Sequence, residues 1–373
     1  MVSEAPRLLV TGATGFLGSA VVAELLHRPE WHAVRLLVRA ASREEGVARM
    51  RESLAKFEVA KEDIARLHVG QIVLGDLKAP LDMFADSALT HITHVINCAA
   101  IATFANNPQL WPINVEGTFA FARRLGEVAP LVRFVHVGTA MCVGPDAPRP
   151  VPEDYEAKGP IRHLVPYSET KFEIERRLRS LLPTLPLVQA RPTIIVGHSK
   201  LGTRPSGSIF WVFRTAQLLE RFTVAPQDRI DVVPVDWAAR TLVELALKPA
   251  LSHHFYHLSA GPDHASTYAE LDAAMARGRG VAPVLSRYRQ ASLEELDAMS
   301  GEYQARLGPC HPRVMQRAIR LYGGFAALNM TFRNEHILEE GIAPPPPFAS
   351  YAEICAATST GITIADQMMA DFK

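Results

Sequence analysis

The sequence predicts an α/β fold: a doubly wound parallel sheet, followed by a smaller C-terminal substrate-binding region. Short apolar runs alternate with longer amphipathic stretches through the first two thirds of the 373-residue chain. The short runs lack the polar–apolar alternation of a half-exposed strand, which is typical of parallel strands buried on both faces. A glycine-rich turn joins the first run to the first amphipathic stretch, as in sheets that bind dinucleotides.

Each element of this sheet can be placed in chain order. The apolar runs predict six strands, at residues 7–11, 33–38, 71–75, 93–98, 132–137 and 187–190. The amphipathic stretches between them predict helices, at residues 15–27, 43–57, 112–128 and 167–182. Regular strand–helix alternation is the pattern of a doubly wound α/β domain, because each helix returns the chain across a face of the sheet.

The pattern becomes irregular after Pro192. A loop rich in Gly, Ser and Arg is expected over 197–208, with helices over 209–221 and from Val235 to just before Pro249. The four prolines at 344–347 exclude a helix there, because proline has no N–H to donate and clashes with the preceding turn.

These elements divide the chain into two expected regions. Residues 1–196 are expected to form a Rossmann domain that binds the cofactor and carries the catalytic residues. Residues 197–373 are expected to form a mixed substrate-binding region, of which about 230–260 returns to the Rossmann core.

Composition and charge exclude several classes of protein. Lys plus Arg and Asp plus Glu balance at 39 each, so a nucleic-acid partner, which usually requires a basic excess, is not expected. No apolar run reaches the length of about 18 residues that a membrane span needs, and the N-terminus lacks the shape of a signal peptide. The four cysteines form no C-x-x-C pair, so no metal site is expected. A reduced cytoplasmic protein is the simplest expectation.

The turn at residues 11–18 is predicted to hold the pyrophosphate of a dinucleotide. Its glycines permit a tight turn, close approach of the backbone to phosphate, and close packing of helix on sheet, while the helix start adds free N–H groups. A glycine-rich turn without a ligand is the alternative, but the position between a strand and a helix favours a cofactor site. The residues predicted to contact the cofactor here are Gly12, Thr14, Gly15, Phe16, Leu17 and Gly18.

Further cofactor contacts are predicted where the later strands end. Arg39 follows the second strand, where an acidic residue would favour NAD and an arginine suits the 2′-phosphate of NADP. NADPH is therefore predicted from Arg39, with Arg43 as a second candidate, and a solvated surface arginine is the alternative. Asp76 is either an acceptor for the adenine amino group or a turn residue. The remaining predicted cofactor residues are Leu77, Ala99, Ala100, Tyr167, Lys171 and Pro192. The two alanines leave room for a nicotinamide ribose, which Lys171 is expected to bind.

Four residues are predicted to form the catalytic group. Tyr167 and Lys171 are four apart on a predicted helix and share a face, so the ammonium is expected to lower the pKa of the phenol and make it a usable proton donor. Thr139, at the end of the fifth strand, can donate its hydroxyl to a carbonyl. Asn114 can hold a backbone carbonyl and a water chain that reaches Lys171. An exposed Tyr–Lys pair and a threonine bonded to local backbone are the alternatives.

Over roughly residues 7–260, these residues resemble the extended short-chain dehydrogenase/reductases. Several segments are more narrowly similar to the thioester reductases and fatty acyl-CoA reductases, the male-sterility type of NAD-binding protein. These segments are 37–40 with Arg49 and Leu54 after it, 73–77, 114–119, 191–199 and 233–237. The resemblance implies that Thr139, Tyr167 and Lys171 are catalytic and that NADPH is the hydride donor. The chain departs from the family at two positions. Gly138 lies where the family often has serine, and His198 lies where aspartate is common.

The resemblance implies reduction of an acyl thioester, bound to CoA or a carrier protein, or of the derived aldehyde. Two alternatives remain open: a ketone reductase or secondary-alcohol dehydrogenase that uses the same catalytic residues, and a non-catalytic NADP-binding regulator. The expected partner is a small-molecule or carrier-bound acyl substrate, and a homodimer is left open.

The substrate is expected to extend from Thr139 and Tyr167 past residues 197–213. The apolar run 209–213 can line an acyl channel, although core packing explains such a run equally well. Trp211 and Phe213 are two residues apart and cannot share a helix face, so at most one of them is expected to touch ligand.

Overall fold

The computed structural model describes residues 5–157 and 159–371, and it contains a seven-stranded sheet in which every neighbouring pair is parallel. The strands of this sheet are β1 (Leu8–Thr11), β2 (Arg35–Val38), β3 (Ile72–Leu74), β4 (His94–Asn97), β5 (Arg133–Val137), β6 (Leu187–Pro192) and β11 (Phe255–Leu258). Their order across the sheet is β3-β2-β1-β4-β5-β6-β11. The predicted doubly wound parallel sheet is therefore confirmed.

Helices cover both faces of this sheet and continue into the C-terminal region. They are α1 (Phe16–Leu25), α2 (Arg43–Ala55), α3 (Lys61–Ala65), α4 (Thr118–Val128), α5 (Pro166–Leu181), α6 (Phe210–Leu219), α7 (Val235–Leu247), α8 (Gly261–His264), α9 (Tyr268–Arg279), α10 (Leu293–Ala298), α11 (Tyr303–Leu307), α12 (Pro312–Ala326), α13 (Glu335–Glu339), α14 (Phe348–Thr358) and α15 (Ile364–Asp371). No helix within the described residues is both long enough and apolar enough to cross a membrane.

Short strand pairs outside the main sheet join the C-terminal elements. They are formed by β7 (Ile194–Ile195), β8 (Arg221–Phe222), β9 (Arg229–Ile230), β10 (Val232–Val233), β12 (Ser266–Thr267) and β13 (Arg289–Gln290). β7 pairs with β10, β8 with β13, and β9 with β12.

Burial on both faces explains why the strands are continuously apolar. Leu8, Leu9 and Val10 of β1 are all fully buried. Leu8 and Val10 pack with α1 and α7 on one face, while Leu9 packs with α4 and α5 on the other. Each residue of β1 before Thr11 therefore meets a helix layer, which favours an apolar side chain at every one of these positions.

The structure differs from the predicted elements in three places. β2 begins at Arg35, because Pro29–Ala33 forms a 3₁₀ turn. A π-helical turn, Pro112–Gly117, precedes α4, so the predicted helix 112–128 has two parts. β11 is a seventh strand that was not predicted individually; it pairs with β6 at the sheet edge.

The rest of the C-terminal region forms its own apolar cores beside the carboxyl edge of the sheet. One core joins α6, α11, α12 and α15, and another joins α6, α9 and α14. The prolines at 344–347 form an extended connection before α14, as predicted. These helices cover the sheet edge at which Thr139 and Tyr167 lie.

Candidate active site

The order in which the chain adds strands to the sheet reverses between β1 and β4. β2 and β3 follow β1 on one side, whereas β4, β5 and β6 lie on the other. The loops after β1 and β4 therefore diverge and leave a crevice at the carboxyl ends of the strands. In open α/β sheets this is where ligands bind.

The glycine loop after β1 has the geometry of a phosphate cradle. Gly12 has φ +65°, and a Cβ there would stand 2.8 Å from the Ala99 backbone, across the crevice. A Cβ at Gly18 would stand 2.1 Å from the Gly12 carbonyl oxygen. Gly15 begins α1 without a side-chain cap, which leaves the first N–H groups of the helix for an anion. These residues fit the pyrophosphate of a dinucleotide.

Neighbouring elements hold the predicted loop residues in place. The Phe16 ring stacks on Phe57 at a centroid distance of 6.2 Å. The Thr14 carbonyl lies 3.4 Å from the Ser53 hydroxyl of α2. Leu17 packs against the core that α1 shares with the sheet. The loop is thus anchored by the Phe16 and Leu17 side chains and by the Thr14 carbonyl.

The end of β2 presents two arginines. The Arg39 side chain is exposed and makes no ion pair with any residue of 5–157 or 159–371. The Arg49 guanidinium, from α2, donates a hydrogen bond to the Arg39 carbonyl. Arg43, by contrast, forms an ion pair with Asp86 at 2.7 Å. Arg39 and Arg49 together can hold a phosphate, and sequence reasoning had not assigned Arg49 to that position.

The other predicted cofactor residues lie at the same sheet edge. Asp76 accepts a hydrogen bond from the Lys78 N–H at 3.0 Å, as a turn residue does. Leu77 is buried, and its carbonyl packs so tightly on Gly117 that a Cβ there would be 2.0 Å away.

The two alanines and Pro192 border the crevice at its centre. The Ala99 N–H donates to the Thr11 hydroxyl at 3.2 Å, which fastens the end of β4 to β1. Ala100 follows it and is half-buried, while Pro192 ends β6 and is buried.

Lys171 is held at the end of β5. It lies in α5 with 3% of its surface exposed, and its Nζ donates to the Val137 carbonyl at 2.8 Å. Burial lowers the pKa of Lys171 to about 8, and the negative charge of Glu175 opposes that shift.

Tyr167 lies one helical turn earlier, on the face of α5 that also carries Lys171. Among the described residues its hydroxyl has no hydrogen-bond partner. The expected lowering of the pKa of Tyr167 by Lys171 is wrong for this structure, because burial of the phenol is the largest influence on that pKa. Burial, with Cys142 and Glu175 nearby, raises the pKa of Tyr167, so the phenol keeps its proton.

Thr139 follows β5 by two residues and faces the same crevice edge. Its Oγ1 accepts a hydrogen bond from the Met141 N–H at 3.3 Å. The oxygen is therefore fixed by backbone, while the hydroxyl hydrogen remains available to a carbonyl.

Asn114 lies in the π-helical turn and clamps the chain after β4. Its Oδ1 accepts from the Ile101 N–H at 2.8 Å, and its Nδ2 donates to the Ile101 carbonyl at 3.0 Å. Toward α5, Nδ2 also lies 3.2 Å from the Thr170 hydroxyl, next to Lys171. π-helical turns are frequent at functional sites. This one places the Asn114 amide against the loop that borders the crevice.

An apolar cavity of about 110 Å³ opens beside these groups. Most of its wall is aromatic or aliphatic, drawn from α6, α12 and the loops around β5 and β9. The lining residues include Phe104, Met141, Ile209, Val212, Phe213, Ala216, Phe222, Tyr268, Tyr322 and Phe325.

Helix α6 supplies Phe213 to the cavity wall and keeps Trp211 in the core. Trp211 is fully buried and packs edge-on against Tyr322 at 5.0 Å. This agrees with the expectation that only one of the two aromatic residues can touch a ligand.

Phe104 connects the cavity to the catalytic residues, and sequence reasoning missed it. Its ring centroid lies 6.1 Å from that of Tyr167, 5.0 Å from Tyr322 and 4.8 Å from Phe325. Met141, two residues after Thr139, lines the same cavity. No local pattern marks Phe104, because its role depends on contacts with a helix more than 200 residues away in sequence. No group of three or more His, Cys, Asp or Glu suited to a metal ion occurs in the described part of the chain.

Comparison with known sequences identifies a family to which this chain is similar and several relatives. The family described as Male sterility protein, an NAD-binding family, matches residues 10–242. The aldehyde reductase lnaA of Aspergillus flavus is 28% identical over 85% of this chain and 31% of its own length. D-lysergyl-peptide-synthetase subunit 3 of Claviceps purpurea is 27% identical over 65% of this chain and 15% of its own length. The chain thus spans about a third or less of these relatives.

Solved structures of reductase domains share the fold along almost the whole chain. The terminal R domain from the myxalamid PKS-NRPS biosynthetic pathway superposes with TM-score 0.74 at 23% identity, covering 98% of this chain and 93% of that domain. The reductase (R) domain of a nonribosomal peptide synthetase from Mycobacterium tuberculosis gives TM-score 0.68 at 21% identity, covering 95% and 91%. The chain belongs to the male sterility family of NAD-binding proteins, a group of extended short-chain dehydrogenase/reductases that are NAD(P)-dependent oxidoreductases.

Proposed function

We propose that this protein is an NADPH-dependent reductase of an acyl thioester or of the derived aldehyde. One observation carries the proposal: a protonated, unpartnered Tyr167 hydroxyl and the Lys171 ammonium lie at one sheet edge, and Phe104 links Tyr167 to an apolar cavity. Such a site suits a carbonyl attached to an apolar group. The relatives include a peptide synthetase subunit and an aldehyde reductase, which favours thioester and aldehyde carbonyls.

The side chains divide the work of the reaction among them. A bound nicotinamide supplies the hydride. Thr139 donates a hydrogen bond to the carbonyl oxygen, and Tyr167 donates its proton there as negative charge develops. Lys171 donates to the Val137 carbonyl and so holds the end of β5, and its ammonium is the group proposed to bind the nicotinamide ribose. With a thioester, the resulting hemithioacetal loses a thiol and becomes an aldehyde, which either leaves or is reduced again to an alcohol.

Comparing carbonyl classes tests this function. We expect consumption of NADPH with short acyl-CoA or acyl-pantetheine thioesters and with the matching aldehydes. A protein that consumes NADPH only with ketones is a ketone reductase that uses the same residues, and the thioester proposal is then wrong. Cofactor binding without turnover of any carbonyl would support a non-catalytic regulator.

Cofactor choice is assigned to Arg39, with Arg49 beside it. We expect Arg39→Ala to weaken NADPH binding roughly 10- to 100-fold, which is the loss of one or two charged hydrogen bonds to the 2′-phosphate, and to leave NADH binding nearly unchanged. Fluorescence titration of both cofactors measures this. Arg43→Ala is the matched control, because Arg43 already pairs with Asp86 and its loss should leave both affinities in place. An equal loss for NADPH and NADH in Arg39→Ala would contradict the assignment.

The cavity also sets the size of the acyl group. An apolar cavity of about 150 Å³ holds benzene, so the 110 Å³ here suits an acyl tail of about four carbons. We expect kcat/KM to rise from acetyl to butyryl thioester and to fall for octanoyl. Ala216→Leu, which fills the cavity, should lower kcat/KM for butyryl while acetyl, the internal control, is little affected. Equal effects on both substrates would show that the acyl tail lies elsewhere.

A further inference from the structure

A buried carboxylate, which the proposed mechanism does not use, lies next to Lys171. Glu175 is one helical turn beyond Lys171 on α5, so Tyr167, Lys171 and Glu175 lie along one face of the helix. The Glu175 side chain is 2% exposed, and its Oε2 is bound by Arg191, by Nη2 at 2.6 Å and by Nε at 2.8 Å. The Arg191 guanidinium in turn lies 4.2 Å from the centre of the Phe255 ring.

The other carboxylate oxygen of Glu175 is left without a partner. Oε1 is buried and accepts no hydrogen bond from any residue that the structure describes. It lies against Gly138, where the Cβ of any other residue would stand only 1.8 Å from it. Gly138 separates Val137, which binds the Lys171 ammonium, from Thr139. The glycine therefore makes room for an unpaired carboxylate oxygen at the turn that positions Thr139.

A half-satisfied buried carboxylate is costly and needs an explanation. The explanation we favour is Lys171, one helical turn earlier on the same face of α5, whose own burial favours its neutral form. Burial lowers the pKa of Lys171 to about 8, and Glu175 is the strongest influence in the opposite direction. The two buried charges thus support each other through space, in a setting where water screens them little.

The other ionisable groups around Lys171 are uncharged or positive at neutral pH. Burial raises the pKa of Cys98, at the end of β4, and of Cys142, after β5, to about 12 each. Burial, with Lys171 and Arg191, lowers the pKa of His136 on β5. The pKa of Tyr167 is raised, and Arg191 on β6 is a cation. Among the described groups that act on Lys171, Glu175 is the carboxylate, and it is paired with Arg191.

We propose that Glu175 is a positioning residue, whose carboxylate, fixed by Arg191 and by the space at Gly138, keeps Lys171 charged at the end of β5. Only the effect on turnover rests on the proposed function. The relation between the two charges does not depend on which substrate the protein reduces.

Direct titration of Lys171 tests this inference without any activity. The chain has eight lysines, so protein labelled with ¹³C at lysine Cε gives few resonances, and Lys171→Met identifies the one required. We expect a midpoint near pH 8 in the wild type and a midpoint about one unit lower in Glu175→Gln, because the nearest anion is removed. Glu173→Gln is the control: it lies on the same helix but pairs with Arg176 and Arg177. An unchanged midpoint in Glu175→Gln overturns the proposal.

A double variant separates this role from simple support of Arg191. Glu175→Gln leaves Arg191 buried and unpaired, which alone destabilises a fold. Glu175→Gln/Arg191→Gln removes both charges, and we expect its Lys171 midpoint to remain below that of the wild type. A return to the wild-type midpoint would show that Glu175 acts only through Arg191, and the proposal would fail.

The pH profile of turnover connects the titration to catalysis. Lys171 is charged at pH values below its pKa and loses its charge above it. Wild-type kcat should therefore fall as the pH rises through about 8. In Glu175→Gln, kcat should begin to fall at a lower pH. In Glu175→Asp, which keeps a carboxylate, the fall should begin at a pH between those of the wild type and Glu175→Gln. Absence of turnover with every carbonyl would refute the proposed function and leave the titration result standing.

Discussion

Tyr167→Phe is expected to lower kcat by roughly 10²–10⁴-fold, which is the usual contribution of a positioned proton donor. The variant should bind NADPH as tightly as the wild type, because it loses only a hydroxyl that has no hydrogen-bond partner among the described residues. Single-turnover kinetics at saturating cofactor measure this loss.

The neighbouring ring provides a control for this variant. Phe104→Leu removes an aromatic ring that packs on Tyr167 at 6.1 Å without removing a donor, so it should change KM more than kcat. Turnover of Tyr167→Phe near the wild-type rate would mean that another group protonates the carbonyl oxygen.

Gly18→Ala should disrupt the cofactor cradle. The new methyl group would stand 2.1 Å from the Gly12 carbonyl oxygen, and that atom belongs to the backbone of the loop, so it can retreat only if the loop moves. Overpacking of this kind costs about 1–3 kcal/mol, and the same loss expressed in cofactor binding weakens affinity roughly 10- to 100-fold. Equilibrium titration with NADPH measures the affinity, and thermal unfolding measures the stability.

A second glycine shows whether the effect is local. Gly324 lies in α12 with open space where its Cβ would be, so Gly324→Ala should leave NADPH affinity unchanged. Normal cofactor affinity in Gly18→Ala would contradict the placement of the pyrophosphate on this loop.

Local sequence signals predicted the sheet and the cofactor loop. Gly12, Gly15 and Gly18 are constrained by atoms a few residues away or directly across the crevice, and the spacing of Tyr167 and Lys171 places them on one helix face regardless of the rest of the fold. Glu175 could have been found in the same way, as the next residue at that spacing.

Features that depend on distant contacts could not be predicted. Phe104 acquires its role from Tyr322 and Phe325, which approach it only after α12 has folded over the sheet edge. The pKa of Tyr167 is raised by burial and by nearby Cys142 and Glu175, and the spacing of residues along the chain does not reveal burial. β11 was missed as a strand because His257 interrupts its apolar residues, and four residues show no periodicity that separates strand from helix.

The central claim, hydride transfer to a thioester carbonyl, is tested most directly by counting products. Reduction of a thioester to an aldehyde consumes one NADPH and one proton and releases one thiol, and further reduction to an alcohol consumes a second NADPH. We therefore expect butyryl-pantetheine to yield one free thiol for each one or two NADPH oxidised. With deuterium transferred from C4-deuterated NADPH, mass spectrometry should find one label in the aldehyde or two in the alcohol, on the former carbonyl carbon. NADPH oxidation without thiol release, or a product without deuterium at that carbon, would contradict the account.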